Sequence, residues 1–440
     1  MTPDVAPVWM AFAALLVLIA LRMPVGVAML TVGIAGYASA SGVGPLLAYL
    51  KSGAFWRFAS YDLAVIPMFL LMGQLAARSG MSASLFAAAR AMLGHRRGGL
   101  AMATIGACAA FGAICGSSLA TAGTMSRVAL PELRRQGYSG ALATGTLAAG
   151  GTLGILIPPS VVLVIYAVAV EANIVKLFEA ALIPGVLAAL GYVLVIAIYV
   201  RVMPGAGAAC APPAGGERLR TLVEAAPNAM LFAIVIGGIY LGLFDPTQAA
   251  AVGVAGAALV AWWRGGIGRP ELAECLLDVA RTTGMIFVIL LGADLLNSYL
   301  ALSGLPDQLA ALAASLSLNP YFVLVAMILV YLVLGCIMDS LAMIMLTVPI
   351  FWPIIGGLDF GLSVPELQTW FGIIVLMVAE MGLITPPVGL NVLIVNANAP
   401  GVGLRESFNG VAPFLASDLL RLAVLVAVPP LALFLPRLLG

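Results

Sequence analysis

Gly150-Gly-Thr-Leu-Gly-Ile-Leu-Ile-Pro-Pro-Ser160 interrupts an apolar run that extends from Ala141 to Val170. A helix crossing a membrane should continue unbroken through such a run. Three glycines, a threonine and two adjacent prolines stand there instead. The second proline lacks a backbone donor, and the pair pushes the preceding residues out of helical geometry. In hydrocarbon, freed N–H and C=O groups persist only where protein, water or a ligand satisfies them. The stretch reads as a helix opened at mid-membrane, although an ordinary proline kink would account for one such break taken alone.

The break has a twin. Glu380-Met-Gly-Leu-Ile-Thr-Pro-Pro-Val-Gly-Leu-Asn391 again places a glycine four residues before a Pro-Pro in an apolar span. Gly154 and Pro158-Pro159 match Gly382 and Pro386-Pro387. Upstream, Gly112-Ala-Ile-Cys-Gly-Ser-Ser118 matches Gly335-Cys-Ile-Met-Asp-Ser-Leu341, and Val32–Gly36 matches Val252–Gly256. Three matches in one order, with slowly drifting offsets, predict two halves built to one plan.

Composition fixes the solvent. The 440 residues are 63% hydrophobic and 9% charged, with a mean hydropathy of +1.13, whereas about a quarter of an ordinary soluble chain is charged. Apolar runs of roughly 20 residues predict α-helical spans, not a barrel. The net charge of +1 gives no nucleic-acid footprint. Pro3–Leu21 runs straight into Arg22 and a further apolar segment, so it reads as a first span and not a cleaved signal. Five cysteines (Cys108, Cys115, Cys210, Cys275, Cys336) show no CxxC spacing, and the only histidine, His95, sits in a basic loop. That argues against a zinc site, a Cys/His pair and a Ser/His/Asp triad.

Spans are expected near 6–22, 24–41, 61–78, 180–200, 226–244, 247–264, 282–300 and 412–436, with broken helices at 140–169 and 368–397. Val43–Ser60, with Lys51 and Arg57 among Leu46, Leu47, Leu50, Phe55 and Trp56, suits an interfacial amphipathic helix, as does Met81–Arg96. Segment 98–135 is flanked by His95-Arg96-Arg97 and Arg134-Arg135, and basic residues collect in the cytoplasm. Both ends then lie inside, and the segment reads as a re-entrant hairpin with its tip near Ser117; two full spans remain an alternative. Its counterpart 320–355 turns at Met338-Asp339-Ser340, between flanks Ser315–Asn319 and Gly356–Glu366 that hold no Lys or Arg. Five crossings and one hairpin per half make the halves inverted. The fold expected is an all-α polytopic membrane protein of two inverted repeats, 1–205 and 223–440, joined by a cytoplasmic linker at 206–222. It has about ten full spans, two hairpins and two discontinuous helices.

At each break one helix ends and another begins. Helix C-termini offer carbonyls suited to a small hard cation such as Na+, and N-termini offer N–H groups suited to a carboxylate. Ser117, Ser118, Thr121 and Thr152, with Ser340, Thr385 and Asn391, can add side-chain ligands; capping or back-bonding to the preceding turn is the plainer use of each. Pro158, Pro159, Pro386 and Pro387 are expected to hold the breaks open. Intramembrane carboxylates are costly and usually functional. Asp339 at a tip is expected to bind an ion or shape an anion site, and Glu380 to pair with a backbone end or an arginine. Asp418 and Arg421, three apart, are expected to pair on a helix surface, and Asp62 and Asp294 to start or interrupt spans.

The stretches Gly112–Thr121, Gly150–Ser160 and Gly382–Asn391 closely resemble the large membrane subunit of tripartite ATP-independent periplasmic (TRAP) transporters, and the likeness runs over essentially the whole chain. The resemblance implies an elevator-type secondary importer driven by a sodium gradient. A periplasmic substrate-binding protein would deliver an organic acid, and a small four-helix membrane subunit, a separate chain, would buttress the scaffold in a bacterial inner membrane. It implies one Na+ site at the first tip (Gly112, Gly116, Ser117, Ser118) with the break Ala149–Gly154 (Gly150, Gly151, Thr152, Gly154). The second would lie at Gly335–Ser340 with Met381, Gly382 and Thr385, with substrate between the tips. Hairpins and broken helices would move against spans 6–41 and 226–264. A stand-alone dicarboxylate or ion symporter or antiporter of the same architecture is the nearest alternative. An intramembrane protease would need a Ser/His pair or two catalytic aspartates on facing spans, but His95 lies outside the core and Asp339 has no plausible twin; a purely structural scaffold has no need of two duplicated polar breaks. The acid itself, whether C4-dicarboxylate, sialic acid, sugar acid or keto acid, is not written in these residues.

Overall fold

The structure, a computed structural model, describes residues 6–213, 215–264, 267–305, 308 and 319–440. The side chains of Trp56 and Arg57 and the flank 315–318 of the second hairpin lie outside the described residues. Helices account for every regular element among the described residues. The first half contains α1 (Ala6–Ala20), α2 (Val25–Ser41), α3 (Val43–Phe58), a 3-10 turn (Tyr61–Ala64) that holds Asp62, α4 (Val65–Arg78) and α5 (Met81–Leu93). It continues with α6 (Gly99–Cys115), α7 (Ser118–Arg135), α8 (Gly140–Leu156), α9 (Val161–Val170) and α10 (Ile174–Val202). The second half contains α11 (Glu217–Tyr240), α12 (Pro246–Trp263), α13 (Arg269–Leu302), α14 (Pro320–Gly335), α15 (Ser340–Gly356), α16 (Val364–Gly382), α17 (Leu390–Ala397), α18 (Leu404–Ala427) and α19 (Pro430–Leu439).

Several helices start where side chains take over orphan backbone donors, as helix ends require. The Ser139 hydroxyl accepts from Leu142 N at 3.3 Å, and the Asn173 amide oxygen accepts from Val175 N at 2.9 Å. Asp245 with Gln248, and Ser363 with Glu366, form capping boxes followed by proline in the first turn. The flanks of α10 show the solvent. Val186, Leu190, Leu194 and Ile198, four apart, are about half exposed, an apolar stripe that only lipid or another helix can cover.

Five helices among the described residues are long and apolar enough to cross a membrane, α10, α11, α13, α16 and α18, and two bent pairs raise this to as many as seven. The bent pairs are Tyr61–Arg78 with α5, at 64°, and α8 with α9, at 45°. Several span boundaries differ from expectation, and α11 starts at Glu217, inside the segment 206–222 expected as a linker. The span near 282–300 is part of a helix that starts at Arg269, and that near 412–436 ends at Ala427, before Pro429-Pro430 turns the chain into α19. The linker adheres to the first half: Ser139 N donates to Ala206 O at 3.0 Å and Cys210 N to Gly94 O at 3.0 Å.

Packing follows a pattern across the halves. Helix α2 lies along α13, and α4 along α12; α7 meets α17, and α9 meets α15. Each hairpin lies on its own half's broken helix, α6 and α7 on α8, and α14 and α15 on α16. Two close crossings, one in each half, use glycine. A Cβ on Gly112 would sit 2.5 Å from Gly154 Cα, and one on Gly382 would sit 2.5 Å from the Gly335 carbonyl carbon. The residues at both crossings are the ones the sequence matches between halves.

Candidate substrate and ion site at the hairpin tips

Helix α6 ends at Cys115. Gly116, at φ 64°, turns the chain in the left-handed region that glycine enters without strain. Ser117 then caps α7, its hydroxyl accepting from Ala120 N at 3.4 Å. In the other hairpin Asp339 caps α15, its carboxylate accepting from Ala342 N at 3.4 Å. The first residue of each second arm, Ser118 and Ser340, is buried. Both serines point at one side chain. Ser118 Oγ donates to Glu380 Oε2, and Ser340 Oγ donates to Glu380 Oε1 at 3.2 Å. Glu380 is 4% exposed and lies in the last turn of α16. A single carboxylate therefore fastens the two tips to each other and to the second broken helix. A pocket of about 150 Å3 lies between the tips, lined in part by Ser117, Ser118, Asp339, Ser340 and Leu383.

The breaks are shorter than the sequence suggests. Gly150, Gly151, Thr152 and Gly154 are interior to α8, which stays helical to Leu156, and the gap is confined to Ile157–Ser160 around a cis Pro158-Pro159. The glycines make room: Gly150 faces Cys108, Gly151 faces Ala122 and the Asn391 amide, and Gly154 faces Thr121. The second gap is longer, Leu383–Gly389, around a cis Pro386-Pro387. Pro158 and Pro159 are buried; Pro386 and Pro387 are exposed.

The remaining hydroxyls divide into engaged and free. Thr152 Oγ1 donates to Ala149 O at 2.6 Å and meets Tyr192 OH at 3.0 Å. Thr385 Oγ1 donates to Met381 O at 2.6 Å, and Thr385 N to Gly382 O at 3.1 Å. Thr121 lies beside the Cys115 thiol, and its buried hydroxyl makes no well-formed hydrogen bond. Asn391 is fully buried, donates from Nδ2 to Ala148 O at 3.3 Å and leaves Oδ1 unpartnered. Thr121 Oγ1 thus faces Gly154 and Asn391 Nδ2 faces Gly151, on one turn of α8.

Tyr192 continues a buried chain that sequence reasoning missed. Its hydroxyl donates to Asp418 Oδ2 at 2.8 Å, and Arg421 Nη2 lies 2.8 Å from Asp418 Oδ1. The expected Asp418–Arg421 pair exists, but it is interior: Asp418 is 1% exposed, and Arg421 lies 5.7 Å over the Tyr192 ring. Glu380 likewise pairs with serines, not with a backbone end or an arginine. The signal for it was available, since Glu380 stands two residues before Gly382 as Thr152 stands two before Gly154. Asp294 sits inside α13 and accepts from the Tyr49 hydroxyl, so it does not break that helix. No cluster of three metal-ligating side chains occurs among the described residues.

Paired hairpin tips, two opened helices and a pocket between them form one candidate site. The family described as tripartite ATP-independent periplasmic transporter, DctM component, matches residues 12–431. The chain belongs to that family. This DctM-family protein is 37% identical over 384 residues to the C4-dicarboxylate TRAP transporter large permease protein DctM of Pseudomonas aeruginosa, covering 86% of this chain and 87% of the other. It is 29% identical over 422 residues to the sialic acid TRAP transporter large permease protein SiaM of Vibrio cholerae, covering 94% and 95%. Its fold is similar to that of the Alcanivorax borkumensis YdaH transporter, with a TM-score of 0.62 at 18% identity over 88% of each chain. The DctM-family chain is a multi-pass membrane protein of a transporter, and not an enzyme.

Proposed function

We propose that this chain is the large transmembrane subunit of a sodium-gradient-driven importer of an organic acid anion in a bacterial inner membrane. A periplasmic binding protein supplies the acid, and a small four-helix subunit flanks the scaffold. The observation that carries the reading is the meeting of Ser118 and Ser340 on Glu380, which sets two helix N-termini around one pocket. Such N-termini favour a carboxylate there without requiring a basic side chain. The relatives named for a C4-dicarboxylate and for sialic acid point to the same class of ligand.

Sodium enters the reading through oxygen. The unpartnered Thr121 hydroxyl and Asn391 Oδ1, on side chains packed against Gly151–Gly154, are oxygens of the kind a small hard cation takes. Ser117 and Ser340, with neighbouring carbonyls, remain candidate ligands, as do Thr152 and Thr385, whose hydroxyls donate to backbone carbonyls and keep oxygen lone pairs for a cation. Two inverted repeats are supported by the exchange of partners between halves, α2 with α13 against α4 with α12. Hairpins and broken helices then move as one body against the outer helices, and Na+ drives transport by favouring the loaded form.

The test is reconstitution. Liposomes holding this chain and its small subunit, given the binding protein and radiolabelled succinate or N-acetylneuraminate, should accumulate label only under an inward Na+ gradient. Accumulation without the binding protein and small subunit would favour the stand-alone symporter or antiporter. Gradient-independent equilibration would sink the coupling.

A further inference from the structure

We propose that Arg127 forms a second, weaker carboxylate site in the cavity beside the first hairpin tip, which takes the organic acid from the tips during passage; this rests on the transport reading above. A cavity of about 630 Å3 lies between α4, α7 and α13. It shares Leu70, Ser117, Leu119 and Thr282 with the pocket between the tips, so the two spaces adjoin. Two guanidinium groups line it. Arg78 is committed, with Nη1 2.6 Å from Glu274 and Nη2 3.2 Å from Asp278. That pairing also neutralises the acid facing the cavity.

Arg127 has no ion pair among the described residues; its Nη2 donates only to the Thr124 hydroxyl, at 3.4 Å. Helical side chains lean toward the N-terminus of their helix. Thr124 lies one turn nearer the tip, and the bond to it turns the guanidinium that way. Ser118 and Arg127 are nine residues apart on α7, about 13 Å of helix rise, longer than a four-carbon dicarboxylate. Arg127 therefore stands deeper along α7 than the tips and is placed to act after them. A guanidinium fork matches a carboxylate edge, and Gln74 and Thr282 supply further polar wall. Because Arg127 and Ser117 share one helix, the site travels with the tip it serves.

Binding and transport are read separately on the full chain in lipid nanodiscs and in liposomes. Calorimetry with succinate and with N-acetylneuraminate compares wild type, Arg127→Gln, Arg127→Lys and Arg134→Gln. Arg134 lies on the same helix outside the cavity and donates to Pro400 O. The expected result is about tenfold weaker binding in Arg127→Gln, the scale of one lost charge-assisted hydrogen bond, with Arg127→Lys between and Arg134→Gln unchanged. In liposomes, Arg127→Gln should raise the internal substrate concentration for half-maximal exchange about tenfold and leave the external Na+ requirement alone. Equal binding in wild type and Arg127→Gln, or binding of neither acid to wild type, overturns the site. A wild type that binds through Arg127 but carries neither acid overturns the transport reading and leaves the site standing. A size-exclusion profile matching wild type shows that Arg127→Gln is folded; Arg127→Lys carries the test if it is not.

Discussion

Replacing Glu380 by alanine tests the joint on which both tips depend. The substitution removes the acceptor for Ser118 and for Ser340, which are 0% and 5% exposed. A buried serine in mid-helix can recover by bonding to the carbonyl one turn back. Neither serine can, because each is the first residue of its helix. Two buried hydroxyls stay unpaired, at about 1–3 kcal/mol apiece. Relief from holding a carboxylate in the interior offsets part of that. A net loss of about 2–4 kcal/mol follows from these terms. Glu380→Gln separates geometry from charge. Its amide oxygen accepts from one serine and its NH2 donates to the other hydroxyl, so both contacts survive. Unfolding of the purified protein in mild detergent, followed by tryptophan fluorescence, should place Glu380→Ala well below wild type and Glu380→Gln near it. Glu380→Ala as stable as wild type would refute the bridging argument. Glu380→Gln as damaged as Glu380→Ala would refute its geometric part.

Gly382→Ala should cost about 1–3 kcal/mol, because the new Cβ meets Gly335 backbone that cannot swing aside; Gly106→Ala, with open space around it, should be neutral or slightly stabilising in the same unfolding assay. Tyr192→Phe keeps the ring against Phe414 and deletes the hydroxyl between Thr152 and Asp418, for an expected loss of about 1–3 kcal/mol; an unchanged midpoint would show that the buried chain does not hold α8 to α10 and α18. Ser117→Ala and Thr385→Ala should each raise the Na+ concentration for half-maximal uptake in liposomes, and superimposable sodium titrations would remove both from the candidate ligands. Ser117→Ala should also lose about 1 kcal/mol of stability as a missing cap.

Features that depend on local backbone chemistry were legible in the residues. The turn at Gly116-Ser117, the turn before Ser340 and the two Pro-Pro gaps stand where glycine, serine and proline placed them. The matched glycines lie at two close crossings, Gly112 against Gly154 and Gly382 against Gly335. Features that depend on which helix lies alongside were not. Gly150–Gly154 reads as opened backbone because glycine weakens helices, yet here small residues admit neighbouring helices and the helix persists. A carboxylate in an apolar run announces that it needs a partner without naming it, and Glu380 finds its partners in residues 262 and 40 positions away. The spacing of Asp418 and Arg421 gave their pairing, but burial depended on α10 covering them. Pro429-Pro430 carried the same signal as the other two pairs and went unread because it lies near the end of a long apolar run.

The two Pro-Pro corners are alike in sequence and unlike in access, one sealed and one open. Pro386-Pro387 lies at the surface of the fold, whereas Pro158-Pro159 is reached only where neighbouring helices part.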